Sequence, residues 1–228
     1  MRTTFACASF LGLALLAGAA SAQSAEPELD ASFHVALTSD YMYRGFSQTD
    51  RGPALQVGVD LAAGGYYVGA WASTVDFGDG TDAEFNLYGG YTTSAGGYDL
   101  DFGLLGVAYA GAPDRADYNF VEAQASVSRT IDNITVGVAV AYSPDFYGVD
   151  DHSTYLEANL EVAAHPRLTL SGAVGHQWLD VSGDYVTWNV GATYALTDFL
   201  SADLRYHDTD VRSPLSDGRV VLTLGAAF

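Results

Sequence analysis

Residues 219–228 read Arg-Val-Val-Leu-Thr-Leu-Gly-Ala-Ala-Phe, and a line of apolar side chains occupies every second position. Val220, Leu222, Leu224, Ala226 and Phe228 therefore share one face of an extended chain. A period of two is typical of a β-strand between two different environments. The pattern recurs in about twelve segments of about ten residues, near 31–42, 53–62, 65–76, 82–93, 97–110, 118–129, 133–143, 153–164, 167–179, 184–195, 198–207 and 218–228.

The connections between these segments differ in length. Short ones lie at 63–64, 94–96, 130–132, 165–166 and 197, and longer, mostly acidic ones at 43–52, 77–81, 111–117, 143–151 and 208–217. Short turns at one end and long loops at the other are typical of an outer-membrane barrel. We predict one all-β domain over residues 31–228, a transmembrane, antiparallel, up-and-down β-barrel of about twelve strands.

A soluble β-sandwich is the alternative, because it also has many short strands. The aromatic side chains of the apolar face argue against it, because they form two rings at different heights. One ring holds Phe33, Tyr66, Tyr91, Tyr98, Tyr194 and Phe228, and the other Tyr41, Phe85, Tyr142, Trp178 and Tyr206. Such rings bracket an apolar band of roughly 20–25 Å in membrane barrels.

Composition excludes several other classes. The 228 residues contain 28 acids against 9 bases, and the formal net charge is −19. This charge repels nucleic-acid phosphates, so no nucleic-acid partner is expected. Beyond the first twenty-odd residues, no apolar run reaches the ~20 residues of a spanning helix.

The first residues have the pattern of a secretory signal. Arg2 precedes an apolar stretch at 5–17, and Ala20-Ser21-Ala22 forms a small-x-small cleavage site. A membrane anchor is disfavoured because the apolar stretch is too short. We expect residues 1–22 to be a cleaved signal peptide and residues 23–30 to be a short periplasmic segment.

Acidic side chains dominate the face opposite the apolar one. The predicted lumen residues are Asp40, Asp60, Glu84, Asp99, Asp101, Glu122, Glu157, Glu161 and Asp203, opposed by Arg205. Burying these carboxylates in a dry core would cost several kcal/mol apiece, which favours a hydrated lumen. Rings of acids attract cations, so this pattern predicts a cation-preferring channel for diffusion of small hydrophilic solutes.

The width of the lumen leaves an alternative open. Eight strands enclose a filled interior and sixteen or more a broad channel, so twelve predict a narrow passage. Inward aromatic side chains at Tyr67, Trp71, Tyr88, Tyr155 and Tyr185 would obstruct it. The competing hypothesis is a non-conducting barrel with a structural or adhesive role at the cell surface.

Two arginines, Arg44 and Arg51, flank the first long loop of an otherwise acidic protein. They could fold the loop inward as a constriction, contact lipopolysaccharide phosphates, or hold a turn through hydrogen bonds to carbonyls. Arg44→Glu would change ion selectivity only if Arg44 lines such a constriction.

Catalytic and metal-binding patterns are weak. Ser39 and His176 share the apolar face but lie on distant strands, and no nucleophile motif surrounds either, so no enzyme is expected. Residues 76–82 and 145–152 concentrate oxygen ligands, yet neither has the spacing of a calcium-binding loop. No cofactor or metal is expected.

The stretch Thr38-Ser-Asp-Tyr-Met-Tyr-Arg-Gly-Phe-Ser-Gln-Thr-Asp50, followed by Pro53-Ala-Leu-Gln-Val-Gly-Val-Asp60, resembles the opening signature of the TorF family of proteobacterial porins. Residues 67–77, 84–91 and the closing strand extend the likeness. The resemblance implies pore formation in the outer membrane, with its lipids and lipopolysaccharide as neighbours. The terminal Phe228 resembles the signal that the barrel-assembly machinery recognises.

Overall fold

The structure, a computed structural model, describes residues 29–148, 151–180 and 183–228. The predicted signal peptide, residues 1–22, lies outside the described residues, as do residues 23–28. The strands are β1 (Asp30–Thr38), β2 (Met42–Tyr43), β3 (Phe46–Ser47), β4 (Ala54–Ala63), β5 (Tyr66–Thr74), β6 (Ala83–Ala95), β7 (Tyr98–Ala110), β8 (Phe120–Ile131), β9 (Ile134–Ser143), β10 (Ser153–His165), β11 (Leu168–Leu179), β12 (Tyr185–Ala195), β13 (Leu200–Thr209) and β14 (Arg219–Ala227). Within these described ranges no helix is long and apolar enough to cross a membrane.

Twelve of these strands close into one antiparallel barrel. Each barrel strand pairs with the next along the chain, and β1 closes the ring by pairing with both β4 and β14. Beside the β1–β14 pairing, Phe33 and Phe228 exchange two backbone hydrogen bonds of 3.1 and 2.9 Å. The predicted twelve-stranded barrel is confirmed, and the β-sandwich alternative is wrong.

The two faces of the wall have opposite polarity. On β6 and β7, Leu87 and Leu104 are 65% and 68% exposed, whereas the next residues, Tyr88 and Leu105, are 7% and 3% exposed. The same alternation leaves large apolar side chains exposed on the outside of every barrel strand. An apolar exterior around a polar interior is the arrangement of a barrel surrounded by lipid.

Most of the predicted ring aromatics lie on this outer face. Exposed members are Phe33, Tyr66, Phe85, Tyr91, Tyr98, Tyr142, Trp178, Tyr194 and Phe228. Tyr206 is half-buried and packs on the exposed Trp188 with ring centres 5.2 Å apart. Tyr41 is the exception, because it is only 7% exposed and lies inside the barrel. Its placement on the outer ring was wrong because β1 ends at Thr38, so the strand alternation does not continue to residue 41.

Inward tyrosines lie flat over glycines of neighbouring strands. The ring of Tyr155 on β10 covers Gly175 on β11, where a Cβ would collide with the tyrosine hydroxyl and ring. The Tyr67 hydroxyl covers Gly90 and Gly103 in the same way. Each close approach fixes one ring against the wall and leaves its hydroxyl directed along the lumen surface.

Gly175→Ala is therefore expected to destabilise the barrel by about 1–3 kcal/mol, the usual cost of overpacking a fixed ring. Gly106→Ala is the matched control, because the nearest atom to a Cβ there is the Leu87 carbonyl oxygen at 3.8 Å. Urea unfolding of both variants in detergent micelles measures the difference. Equal stabilities would contradict the packing role of Tyr155.

Candidate functional site: the lumen and its plug

Hereafter the loop end of the barrel is the end that carries the longer connections, and the turn end is the other. The predicted lumen residues differ in exposure between these two ends. Glu84, Glu122 and Glu157, in the half towards the loop end and at mid-height, are at most 3% exposed. Towards the turn end, Asp60, Asp99, Glu161 and Asp203 are only partly buried, although Asp101 is 8% exposed. The lumen is thus open to water from the turn end and filled at the loop end.

The filling material is the first loop, residues 39–53, which folds into the barrel and is called the plug below. Its base is fixed by Asp40, whose carboxylate accepts hydrogen bonds from Ser47 Oγ at 2.6 Å and Thr49 Oγ1 at 3.0 Å. The second carboxylate oxygen of Asp40 accepts from Arg219 at 2.9 Å. Asp40 therefore organises the loop and is not a free lumen charge.

The tip of the plug is the two-residue turn of the β2–β3 hairpin. Arg44 and Gly45 connect the paired residues Tyr43 and Phe46, and both have positive φ, 46° and 86°. Two positive φ values are the pattern of a type I′ turn, which favours Asn or Gly at the first position. Arginine in this conformation carries a local backbone cost of about 1–2 kcal/mol, so contacts of its side chain must offset it.

Those contacts are made with the wall. Arg44 Nη2 donates to Glu122 Oε2 at 2.8 Å, and Nη1 donates to Gln177 Oε1 at 3.0 Å. The guanidinium carbon lies 4.4 Å from the ring centre of Tyr155, within cation–π range. Burial is the largest single influence and lowers the pKa of Arg44, but Glu122 and the tyrosines around the guanidinium together raise it by more, so the net shift is upward. Arg44 is a permanent cation held inside the barrel.

The hairpin reaches across the bore. It leaves the wall between β1 and β4, and its partners Glu122, Tyr155 and Gln177 stand on β8, β10 and β11, on the far side of the ring. At the tip, a Cβ on Gly45 would collide with Thr187 on β12 and Thr209 on β13. The plug therefore spans the lumen from one wall to the other.

The side chain of Arg51 takes no part in this arrangement, although its backbone amide donates to Ser47 Oγ at 2.8 Å. Its side chain is 56% exposed, and its guanidinium lies 3.8 Å from the carboxylate of the adjacent Asp50. Of the two flanking arginines singled out from the sequence, the structure brings only Arg44 into the lumen.

A second loop adds apolar cover. Between β9 and β10, Phe146 is 8% exposed and packs on Phe120 with ring centres 4.8 Å apart. Its neighbour Tyr147 stacks on Tyr118 at 4.9 Å and meets Phe77 edge-on at 5.8 Å. This cover was not predicted from the sequence. The signal was two adjacent aromatics inside an acidic loop.

Arg205 lies lower in the lumen, along the wall. Its guanidinium donates to Asp203 at 3.1 and 3.2 Å, to Asn189 Oδ1 at 2.7 Å and to Ser171 Oγ at 2.8 Å. It packs over Gly191 of the facing strand. On the opposite wall, Tyr67 donates to Asp101 at 2.9 Å. These pairs line the bore without crossing it.

The candidate catalytic and metal-binding side chains lie outside the lumen. Ser39 Oγ, just after β1, accepts a hydrogen bond from the Leu222 amide at 3.0 Å. His176 stands on β11, four strands from β1 around the ring, and lies 3.7 Å from Asp184. Asp151, His152 and Asp180 present ligand atoms within 4.8 Å of one another on two exposed loops. These are ligand types that a divalent cation accepts, but exposed carboxylates commonly stand together without one.

A comparison with known protein families assigns the chain to one of them. A model for a bacterial protein family of unknown function, Gcw_chp, matches residues 21–227. The chain belongs to the Gcw_chp family. A search of curated proteins gave no match to this Gcw_chp protein.

Solved structures resemble the Gcw_chp barrel at low sequence identity. The KdgM porin in complex with disordered oligogalacturonate has a TM-score of 0.60 at 7% identity, over 87% of this chain and 97% of that one. An outer-membrane channel from Pseudomonas putida F1 has a TM-score of 0.52 at 12% identity, over 90% of this chain and 96% of that one. Omp33 of Acinetobacter baumannii has a TM-score of 0.51 at 10% identity, over 90% of this chain and 99% of that one. At these identities the likeness concerns the fold alone.

Proposed function

We propose that the protein is a porin-like channel of the bacterial outer membrane, which lets small hydrophilic solutes diffuse and prefers cations. The observation that carries the proposal is the polarity of the barrel, an apolar exterior around a water-accessible, acidic lumen. Of the nine predicted lumen carboxylates, three pair with arginines, Glu122 with Arg44, Asp203 with Arg205 and Asp40 with Arg219, so acids outnumber these arginines nine to three and the inner wall is negative. Passage by diffusion requires positioned charges and no catalytic group.

The resemblances support this proposal. Similar folds occur in the KdgM porin and in the outer-membrane channel of Pseudomonas putida F1. The TorF-like opening signature, residues 38–50, forms most of the plug. Export through a signal peptide at residues 1–22, recognition of Phe228 by the barrel-assembly machinery and contact with lipopolysaccharide complete the proposal.

Refolded protein in a planar bilayer across a potassium chloride gradient tests the selectivity. We expect discrete conductance steps and a reversal potential of the sign for potassium over chloride, because the acidic wall concentrates cations. The preference should weaken as ionic strength rises, since salt screens wall charges over a Debye length of about 3 Å at 1 M. An anion-selective reversal potential would contradict the assigned lumen charge.

The plug favours a second candidate function. A hairpin fixed at its base by Asp40 and at its tip by Glu122 closes the loop end, as in a non-conducting barrel with a surface role. A folded, inserted protein that shows no steps at any voltage would favour this candidate.

A further inference from the structure

The contacts around Arg44 form a receptor for a cation, here called the cation cage and defined by Glu122, Gln177, Tyr155 and Phe146. Glu122 supplies a carboxylate, Gln177 an amide oxygen, and the two aromatic rings lie 4.4 and 5.7 Å from the guanidinium carbon. Glu122 and Gln177 are 1% and 0% exposed. A carboxylate, a neutral acceptor and flanking rings together form a complete recognition set for a planar cation.

Most of the cage belongs to the barrel wall. Glu122, Tyr155 and Gln177 stand within β8, β10 and β11, whose pairing with neighbouring strands does not involve the plug. Tyr155 is held further by its fit over Gly175 and by its hydrogen bond to Glu157 at 3.0 Å. The recognition set would therefore keep its geometry if the hairpin left.

The cage has more capacity than Arg44 uses. Glu122 Oε2 accepts from Arg44, whereas the buried Oε1 has no hydrogen-bond partner among the described residues. An arginine tethered to a hairpin approaches from one direction, and only one of its nitrogens contacts the carboxylate. A free guanidinium can turn to engage both carboxylate oxygens, which is the stronger arrangement.

The backbone conformation of the hairpin tip opposes the binding of Arg44 in the cage. Its side chain is held in the cage by a residue at φ 46°, a conformation that arginine rarely adopts. When the tip withdraws, that backbone cost is relieved, which partly offsets the lost contacts. A tethered group competes through its effective concentration, which is on the order of millimolar for a short flexible linker, so a free solute at or above that range competes with Arg44.

We propose that the cation cage is a binding site in the lumen for solutes that carry a guanidinium group, and that Arg44 is its tethered, exchangeable occupant. The inference rests on the proposed function in one respect, since solutes must reach the lumen. It adds the solute class, alkylguanidinium compounds such as arginine derivatives, and it makes the solute itself the agent that displaces the plug.

Binding of arginine amide to purified protein in detergent micelles, followed by calorimetry, tests the site without relying on conductance. We expect the Arg44→Ala variant to bind arginine amide. Wild-type protein should bind it about ten- to a hundredfold more weakly, because its tethered Arg44 competes for the cage. Citrulline amide, which has a neutral urea group, should not bind. Adding Glu122→Gln to Arg44→Ala should weaken binding about ten- to a hundredfold, the loss expected for one hydrogen bond to a charge.

Arg51→Ala is the matched control, because Arg51 belongs to the same loop and touches no cage residue, and it should bind as wild type does. Arg44→Gln, which keeps most of the side-chain volume, replaces Arg44→Ala if the latter does not fold. Absence of binding to a folded Arg44 variant, or equal binding of citrulline amide, would overturn the cage.

Conductance separates the two proposals. If arginine amide binds but no variant conducts, the proposed channel function is wrong and the proposed binding site is retained. Conductance through a folded Arg44→Ala barrel that arginine amide neither blocks nor binds would overturn the cage and leave the channel standing.

Discussion

Excision of the plug hairpin is expected to raise single-channel conductance several-fold. Residues 42–47 can be replaced by Gly-Gly, because the Gln48 amide donates to the Tyr41 carbonyl at 2.7 Å and the two cut ends therefore already lie side by side. The change removes the only described segment that crosses the bore and frees the Glu122 charge. Cation selectivity should increase together with conductance, since one lumen arginine is lost.

The measurement compares step sizes and reversal potentials of the excised protein and wild type in the same bilayers. Arg51→Ala is again the control and should leave both quantities unchanged. Unchanged conductance in a folded, excised barrel would mean that the cover formed by Phe146 and Tyr147, and not the hairpin, limits passage.

Leu160→Arg is expected to destabilise the barrel in a bilayer by about 2–4 kcal/mol, the cost of an arginine on the lipid face near the midplane. Leu160 is near the middle of β10 and is 47% exposed on the outer surface. The free energy of unfolding in urea, measured in phospholipid vesicles, gives the value.

Asn159→Arg places the same charge one residue away on the inner face. Its neighbours along that face of β10 are Glu157 and Glu161, so the added cation has opposite charges beside it. We expect a change of less than about 1 kcal/mol there. Equal destabilisation at both positions would contradict a lipid-facing exterior.

The barrel wall could be predicted from the sequence because a period of two is a local property. Predicted segments such as 97–110 and 167–179 agree with β7 (Tyr98–Ala110) and β11 (Leu168–Leu179) within one residue. The same parity assigned Glu122 and Arg205 to the inner face, where the structure places both.

The plug could not be predicted in this way. The conformation of residues 39–53 depends on partners far along the chain, as the separations of Arg44 from Glu122 (78 residues) and Gln177 (133 residues) show. No local pattern distinguishes Arg44, which enters the lumen, from Arg51, which does not. Both arginines even share a positive φ, 46° for Arg44 and 66° for Arg51, so only the wall residues that meet the Arg44 side chain separate them.

Those separations also bear on how the chain folds. The hairpin belongs to the first loop, but the residues that hold its tip stand on β8, β10 and β11, so the tip cannot dock until most of the wall exists. Contacts between distant parts of a chain form late, because the entropy of closing the intervening segment must be overcome first. The docking of Arg44 is thus a late folding event, which requires that β8, β10 and β11 already stand in the barrel wall.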